Sequence, residues 1–115
     1  MRRGEVRLVD LEPGRGSEAN KRRPAVVVSN DRANAAAERL ERGVVTVVPL
    51  TSSTTRIFPF QVLVPADQAG LRVDSKAQAE QVRSVAVERL GPALGWLPAP
   101  LMAEIDEALR LHLDR

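Results

Sequence analysis

Short apolar blocks, separated by polar and turn-forming residues, run along most of this chain. Blocks rich in β-branched residues, or alternating between apolar and polar residues, are typical of β-strands. This pattern predicts strands in segments 4–9, 24–29, 43–50, 59–65, 74–87 and 92–97. Short strands at this spacing, followed by a terminal helix, favour a small, strongly curved antiparallel barrel or sheet.

Three helical segments complete the predicted elements. Between residues 100 and 113, apolar side chains recur at i, i+3 and i+4, which predicts an amphipathic helix. Its apolar face consists of Leu101, Met102, Ile105, Ala108, Leu109 and Leu113. A short Ala-rich helix is expected at 32–40 after a capping Asn30 or Asp31, and one helical turn at 87–91. Segment 10–21 is rich in Pro, Gly, Ser and Asn, so it is expected to be a long loop.

Composition narrows the class of protein. A chain of 115 residues predicts one domain spanning 1–115. It has no cysteine, which excludes disulfides and thiolate metal sites. No apolar run reaches the ~20 residues of a membrane helix, and no signal peptide is evident, so a cytoplasmic protein is expected. The net charge of +2 is uneven, with +4 in residues 1–56 and −2 in 57–115, which is a weak indication of a polyanionic partner.

The usual catalytic motifs are missing. His112 is the single histidine and lies in the apolar stripe of the last helix, where packing or an interface is expected rather than catalysis. Metal-ligand clusters, a phosphate-binding P-loop and a nucleophile elbow are all missing from the sequence. We therefore expect neither a metal nor another cofactor.

Polar residues at strand ends are the remaining candidates for chemistry. Arg22 and Arg23 precede the strand at 24–29, and the hydroxyl cluster 51–54 ends the strand at 43–50, followed by Arg56. Neighbouring strands would bring these groups to one rim, where guanidinium and hydroxyl groups suit a phosphate. The alternative interpretation is a polar turn at 51–55. Gln78, Glu80, Gln81 and Arg83 can equally be the wet face of an exposed strand.

Taken together, these segments resemble a known family. The stretches RGEVRLVDLEPGRGSE, KRRPAVVVSND, VVPLTSS and SKAQAEQVRSVAVERLG are similar, in order and spacing, to those of the MazF/PemK type of toxin. That toxin is the endoribonuclease half of a bacterial toxin–antitoxin pair. The resemblance runs from Arg3 to the C-terminus.

The resemblance implies an SH3-like, largely antiparallel barrel with a C-terminal helix, a homodimer and a cognate antitoxin. It also implies metal-independent cleavage of single-stranded RNA at a short sequence, in which the substrate's own 2′-OH attacks the adjacent phosphate. Arg23 and Thr51 fall on the family's catalytic positions: Arg23 would stabilise the phosphorane and could protonate the leaving 5′-oxygen, and Thr51 would donate a hydrogen bond to a phosphate oxygen. The general base is left open between Glu18 and Glu80.

Further residues are expected to contact the RNA. The resemblance carries over Ser17, Glu18, Ser52, Ser53, Glu80, Gln81 and Arg83, and the positions at strand ends add Arg22, Arg56 and Gln78.

The sequence departs from the family pattern at two places, and two alternative functions are considered beside the ribonuclease. Arg7 stands where the family often has an aromatic residue, and the first loop reads S-E-A-N instead of S-E-Q-x-G. The first rival is a related gyrase poison of the CcdB type without nuclease activity, but such toxins end in Trp-Gly-Ile, whereas this chain ends HLDR. The second is a catalytically silent barrel that binds RNA or protein.

Overall fold

The computed structural model describes residues 1–11 and 22–115. The strands within them are β1 (Glu5–Asp10), β2 (Arg22–Val27), β3 (Val44–Thr51), β4 (Gln61–Val64), β5 (Ser75–Gln78), β6 (Arg83–Ala86) and β7 (Leu90–Trp96). The helices are α1 (Asp31–Leu40), α2 (Ala66–Ala69) and α3 (Ala99–Leu113). Single 3₁₀ turns occupy Ala79–Gln81 and Val87–Arg89. Among the described residues, no helix is long and apolar enough to cross a membrane.

The strands pair antiparallel in the order β4-β5-β3-β2-β1-β7, with β6 also bonded to β3. One edge of β3 pairs with β2. The other edge pairs with β6 along Val44–Val47 and with β5 along Leu50–Thr51. β5 and β6 are therefore two halves of one strand, interrupted by the turn at Ala79–Gln81. The sequence predicts a strand at 74–87, and the structure has strands in this segment. The predicted strand is not continuous, however, because the turn inserts extra residues into it, as a bulge does.

The start of β2 differs from the prediction. Arg22 and Arg23 do not precede the strand but form its first two positions, opposite Asp10 and Val9 of β1. The ladder from β2 to β3 begins only at Ala25. Pro24, which has no N–H to donate, lies where β2 is not paired with β3, as expected for proline in a sheet.

The sheet has an apolar core on each face. The larger core packs α3 against side chains of the sheet such as Val6, Val26 and Val48, and the smaller packs Ala37 of α1 against residues such as Val27 and Val47. Alternate residues of a strand point to opposite faces, so consecutive valines of β2 enter different cores. This explains why the apolar blocks in the sequence are continuous rather than alternating.

The apolar face of α3 is occupied within the chain. Leu101 and Ile105 are 7% and 0% exposed and belong to the larger core, against which Leu109 is also packed. The sheet of the same chain therefore covers this face. Any interface between copies must use other residues.

The mainly antiparallel fold with a C-terminal helix is confirmed, although the sheet is not closed by hydrogen bonds between its outer strands, β4 and β7. The unpredicted helix α2 and the following Gly70 pack against β7 instead. A Cβ added at Gly70 would lie 2.1 Å from the carbonyl oxygen of Leu94, and one at Gly95 would lie 2.4 Å from that of Ala69. Glycines thus allow two backbones to touch at this seam.

Candidate active site

Arg23 and Thr51 lie just beyond the last paired residues of β2 and β3 and line the same groove. The last paired residues of these two strands are Ala25 of β2 and Pro49 of β3. Arg23 lies two residues before Ala25, and Thr51 lies two residues after Pro49, so the antiparallel register sets them opposite each other. Residues two apart in a strand share a face. Both side chains are therefore expected on the same side of the sheet.

A groove of about 600 Å³ opens beside these two residues. Its exposed polar residues are Arg23, Ser52 and Arg72, with Thr51 half-buried and Ser75 buried beside them. Four leucines from separate segments, Leu8, Leu50, Leu71 and Leu94, line its apolar part. Arg23 and Arg72 form no ion pair with any carboxylate that the structure describes, so their charge is available to an anion.

Arg23 also lines a second, polar cavity of about 220 Å³. Gln78, Gln81 and Arg83 lie in it together with Leu11 and Pro49. Gln78 immediately precedes the 3₁₀ turn that interrupts the strand, and Gln81 is the last residue of that turn. Arg23 is thus shared between the groove and a polar cavity that contains three residues expected to contact RNA.

The hydroxyl of Thr51 is oriented by the turn that follows it. The backbone N–H of Ser53 donates to Thr51 Oγ1 at 3.3 Å. A hydroxyl that accepts one hydrogen bond retains its own O–H for donation. Thr51 is therefore placed to donate to an anion in the groove, and Ser52 lies at the same end of it.

The loop after Thr51 is held by a buried cation. Lys76 of β5 is the register partner of Thr51 of β3 and is 8% exposed. Its Nζ donates to the carbonyl oxygen of Arg56 at 2.6 Å. Gln61 Oε1 accepts from the N–H of Phe58 at 3.1 Å, and Gln61 Nε2 donates to Glu80 Oε2 at 2.7 Å. These bonds fix the path of residues 56–58.

Several predicted contacts lie away from both cavities. Arg56 places its guanidinium 5.7 Å from the ring centre of Phe58, and Glu80 bonds Gln61. Arg22 lies over β7, where a Cβ added at Gly91 would be 3.3 Å from its Nη1. None of these three residues lines the groove or the polar cavity.

Glu80 is poorly placed as a general base because one carboxylate oxygen accepts from Gln61 and the other is buried without a partner among the described residues. Ser17 and Glu18 lie outside the described residues. His112 is exposed rather than packed in the stripe of α3, with its ring centre 6.4 Å from that of Phe60. Arg7, the departure in the first strand, forms a half-buried ion pair with Glu5 at 2.7 Å.

Sequence reasoning missed three polar residues of this region: Arg72, Ser75 and Lys76. Arg72 and Ser75 line the groove because α2 and Gly70 carry the following segment against β7. A weak signal existed in the composition, since Lys76 is one of only two lysines in a chain whose other cations are arginines. Within 1–11 and 22–115, no group of three or more His, Cys, Asp or Glu is placed to hold a metal ion.

Comparison with known proteins gives a consistent result. Residues 2–113 match the family model of the PemK-like, MazF-like toxin of type II toxin–antitoxin systems. The chain is 64% identical to endoribonuclease MazF9 of Mycobacterium tuberculosis, covering 99% of this chain and 97% of the relative. It is 52% identical to the probable endoribonuclease MazF1 of the same organism, and the alignment covers 78% of this chain and 98% of that relative.

A solved structure described as an endoribonuclease in complex with its cognate antitoxin, from a mycobacterial species, has a TM-score of 0.75. It is 26% identical to the chain, and the alignment covers 99% of this chain and 95% of that one.

Proposed function

The chain belongs to the PemK-like, MazF-like family of toxins of type II toxin–antitoxin systems, and on this premise we propose that it is a sequence-selective endoribonuclease that cleaves single-stranded RNA. The observation that supports the proposal is that Arg23 and Thr51 line one groove, just beyond the last paired residues of β2 and β3. This arrangement would offer a guanidinium and a hydroxyl donor to one phosphate. Relatives named as endoribonucleases support the same activity.

The reaction needs no nucleophile from the protein. The 2′-oxygen of the substrate forms a bond to the adjacent phosphorus as its proton passes to a base, and the bond from phosphorus to the 5′-oxygen breaks as that oxygen takes up a proton. The planar fork of Arg23 would bind the phosphate oxygens and stabilise the added negative charge. Thr51 would donate a further hydrogen bond to the same charge, in the manner of an oxyanion hole. The products would be a 2′,3′-cyclic phosphate and a 5′-hydroxyl.

The partners follow from the family. A structural relative has been solved with its cognate antitoxin, and this chain is proposed to pair with an antitoxin of its own. We further place it in the cytoplasm, where its RNA substrate is found, and as a homodimer. The gyrase-poison alternative is not favoured, because the family model and the named endoribonucleases both match the chain over most of its length.

The testing experiment is incubation of the purified protein with a long RNA, with cut sites mapped by primer extension. Cleavage at a recurring short sequence is expected, with cyclic-phosphate and 5′-hydroxyl ends. A 2′-deoxy substitution just 5′ of the cut should block cleavage, because it removes the nucleophile, and excess EDTA should not. 5′-Phosphate ends, or activity that EDTA abolishes and Mg²⁺ restores, would contradict the mechanism. A wholly uncut RNA would contradict the function.

A further inference from the structure

We infer that the apolar part of the groove receives one unstacked nucleobase beside the scissile phosphate, and that Arg72 binds the phosphate of the same nucleotide. The inference rests on the proposed ribonuclease function and adds to it a base-recognition site. Its volume of about 600 Å³ falls within the range of ~300–1,000 Å³ typical of small-molecule sites. One nucleotide is a ligand of this class.

The chemistry of the lining suits the faces of a base. The apolar part is formed by Leu8, Leu50, Leu71 and Leu94, with Val73 at 55% exposure on the solvent side. Extruded bases are commonly held between apolar or aromatic side chains and identified by hydrogen bonds to their edges. Among the described residues, no aromatic side chain lines this groove, so aliphatic faces would sandwich the base. The exposed hydroxyl of Ser52 can donate to its edge, whereas the hydroxyl of Ser75 donates to the carbonyl oxygen of Val73 at 3.4 Å.

The charges around the groove favour RNA over an uncharged ligand. Arg23 and Arg72 both line the groove, and neither is paired with a carboxylate among the described residues. A nucleotide joins an apolar-faced base to an anionic phosphate, which matches an apolar slot bordered by two guanidiniums. Because Arg23 and Thr51 line the same groove as the slot, the base it holds would belong to a nucleotide that flanks the cut.

The groove has a rigid wall on the side of Arg72. Gly70 and Gly95 bring the backbone before Arg72 into direct contact with β7, with no space for a single Cβ at either glycine. A slot with a wall that cannot move away accepts only bases whose shape fits it. We therefore expect the groove to contribute to the sequence preference at that one nucleotide.

The test uses an oligonucleotide spanning a mapped cut site, with a 2′-deoxy substitution that prevents cleavage and an abasic residue placed at each position in turn. Dissociation constants are measured by fluorescence anisotropy. For the unmodified protein, an abasic residue at one nucleotide flanking the cut should weaken binding by about tenfold, towards the lower end of the effect of losing a stacked base.

Val73→Trp provides the matching protein change, because an indole on this exposed position would fill the slot without entering the core. Its affinity for the intact oligonucleotide should fall by about tenfold, and its abasic penalty at the flanking position should vanish. Val44→Trp is the control: Val44 is similarly exposed, at 59%, and does not line the groove. It should behave like the unmodified protein, and both variants should retain the melting temperature.

Arg72→Ala separates the phosphate contact from the base contact. It should weaken binding of intact and abasic oligonucleotides equally and reduce the slope of log K against log salt by about one. Arg42→Ala, which removes an exposed arginine outside the groove, should leave that slope unchanged.

The outcomes distinguish this inference from the function on which it rests. If the protein cleaves RNA but the abasic scan is flat at both flanking nucleotides, the base site is wrong and the ribonuclease stands. If Val73→Trp weakens antitoxin binding while leaving the abasic penalty intact, the slot belongs to the antitoxin instead. If the protein cleaves no RNA, both proposals fail.

Discussion

The guanidinium of Arg23 and the hydroxyl of Thr51 line one groove, just beyond the last paired residues of β2 and β3. Neither residue is unusual by itself, since arginine and threonine are common at the ends of strands. Their value lies in register: Ala25 and Pro49 are the last partners that β2 and β3 share, and Arg23 and Thr51 come two residues beyond them and line one groove. A strand holds a side chain with less freedom than a loop does, so the donors are positioned before a substrate arrives.

Removing either donor should reduce cleavage much more than stability. For Thr51→Val, which deletes the hydroxyl and keeps the shape, we expect a loss of ~10²–10³ in kcat, the cost of one oxyanion donor. Thr51→Ser should retain most activity. Arg23→Ala should be at least as damaging, and Arg23→Lys should recover only part, because an ammonium cannot form the two-pronged contact. The measurement is single-turnover cleavage of a labelled oligonucleotide.

Arg42→Ala and His112→Ala are the controls for these variants, and thermal unfolding checks that each protein folds. Both replaced side chains are exposed and away from the groove, so both variants should cleave normally. If Arg23→Ala still cuts and His112→Ala does not, the assignment of the catalytic residues is wrong.

At the scale of elements, the loop between β3 and β4 depends on a lysine of β5. Lys76 is nearly buried, yet its ammonium has a backbone carbonyl as acceptor and lies 5.9 Å from the ring centre of Phe58. The chain therefore offsets the cost of burying the charge with a charge-assisted hydrogen bond and a cation–π contact. The bond crosses from β5 to the segment that follows Thr51, so it positions the loop beside the groove.

Lys76→Met should separate this positioning role from folding. Replacing a buried charge by an apolar side chain of similar length is often close to neutral for stability, so the free energy of unfolding should change by less than about 1.5 kcal/mol. The released loop should lower kcat/KM by about tenfold and speed hydrogen exchange of the amides at residues 52–58. Normal exchange with normal activity would refute this role; Lys76→Arg should restore part of both.

The contact between α2 and β7 is the second feature at the scale of elements on which the groove depends. Gly95→Ala places a methyl group 2.4 Å from the carbonyl oxygen of Ala69, so the two backbones must move apart. We expect destabilisation of about 1–3 kcal/mol, typical of overpacking, measured by urea unfolding. Ala93→Val, on an exposed position of the same strand, should change stability by less than about 0.5 kcal/mol. Equal stability of Gly95→Ala and the unmodified protein would show that the seam can open freely.

At the scale of the whole molecule, the surface near the end of α3 exposes several apolar side chains. Leu63 on the outer strand β4, Phe58, and Leu111 and Leu113 on α3 are 41–53% exposed. α3 packs against β4, the ring centre of His112 lies 6.4 Å from that of Phe60, and Phe60 stacks on Phe58 at 5.5 Å, which places Phe58 beside the last turn of α3. Exposed apolar patches of this kind commonly mark protein interfaces.

A homodimer formed through this patch is therefore expected, and Leu111→Glu should dissociate it. Light scattering at micromolar concentration should give the mass of two chains for the unmodified protein and of one for the variant. Leu40→Glu, at an exposed position on α1, should remain dimeric. A monomeric unmodified protein would contradict the assembly itself, whereas a dimeric Leu111→Glu would contradict only the location of the interface.

Most elements were predictable from the sequence because their signals are local. The valine blocks of β2 and β3 and the i, i+3, i+4 pattern of α3 reflect how each residue partitions between core and water, and this preference is carried by the side chain itself. The candidate pair Arg23 and Thr51 was also accessible from the sequence, through their places at strand ends and the family resemblance. The four-residue helix α2 was missed because so short a segment leaves no periodic pattern.

What only the tertiary structure decided were relations between distant segments. The pairing of Ala25 with Pro49, and hence the opposition of Arg23 and Thr51, depends on a register between β2 and β3 that no local pattern specifies. The same holds for the groove: Arg72 reaches it because Gly70 meets Leu94 at the seam. It also holds for α3, whose apolar stripe predicted a buried face but not that the chain's own sheet would bury it. Hydrophobicity along the chain determines which residues leave water, whereas the packing of the folded chain determines what they meet.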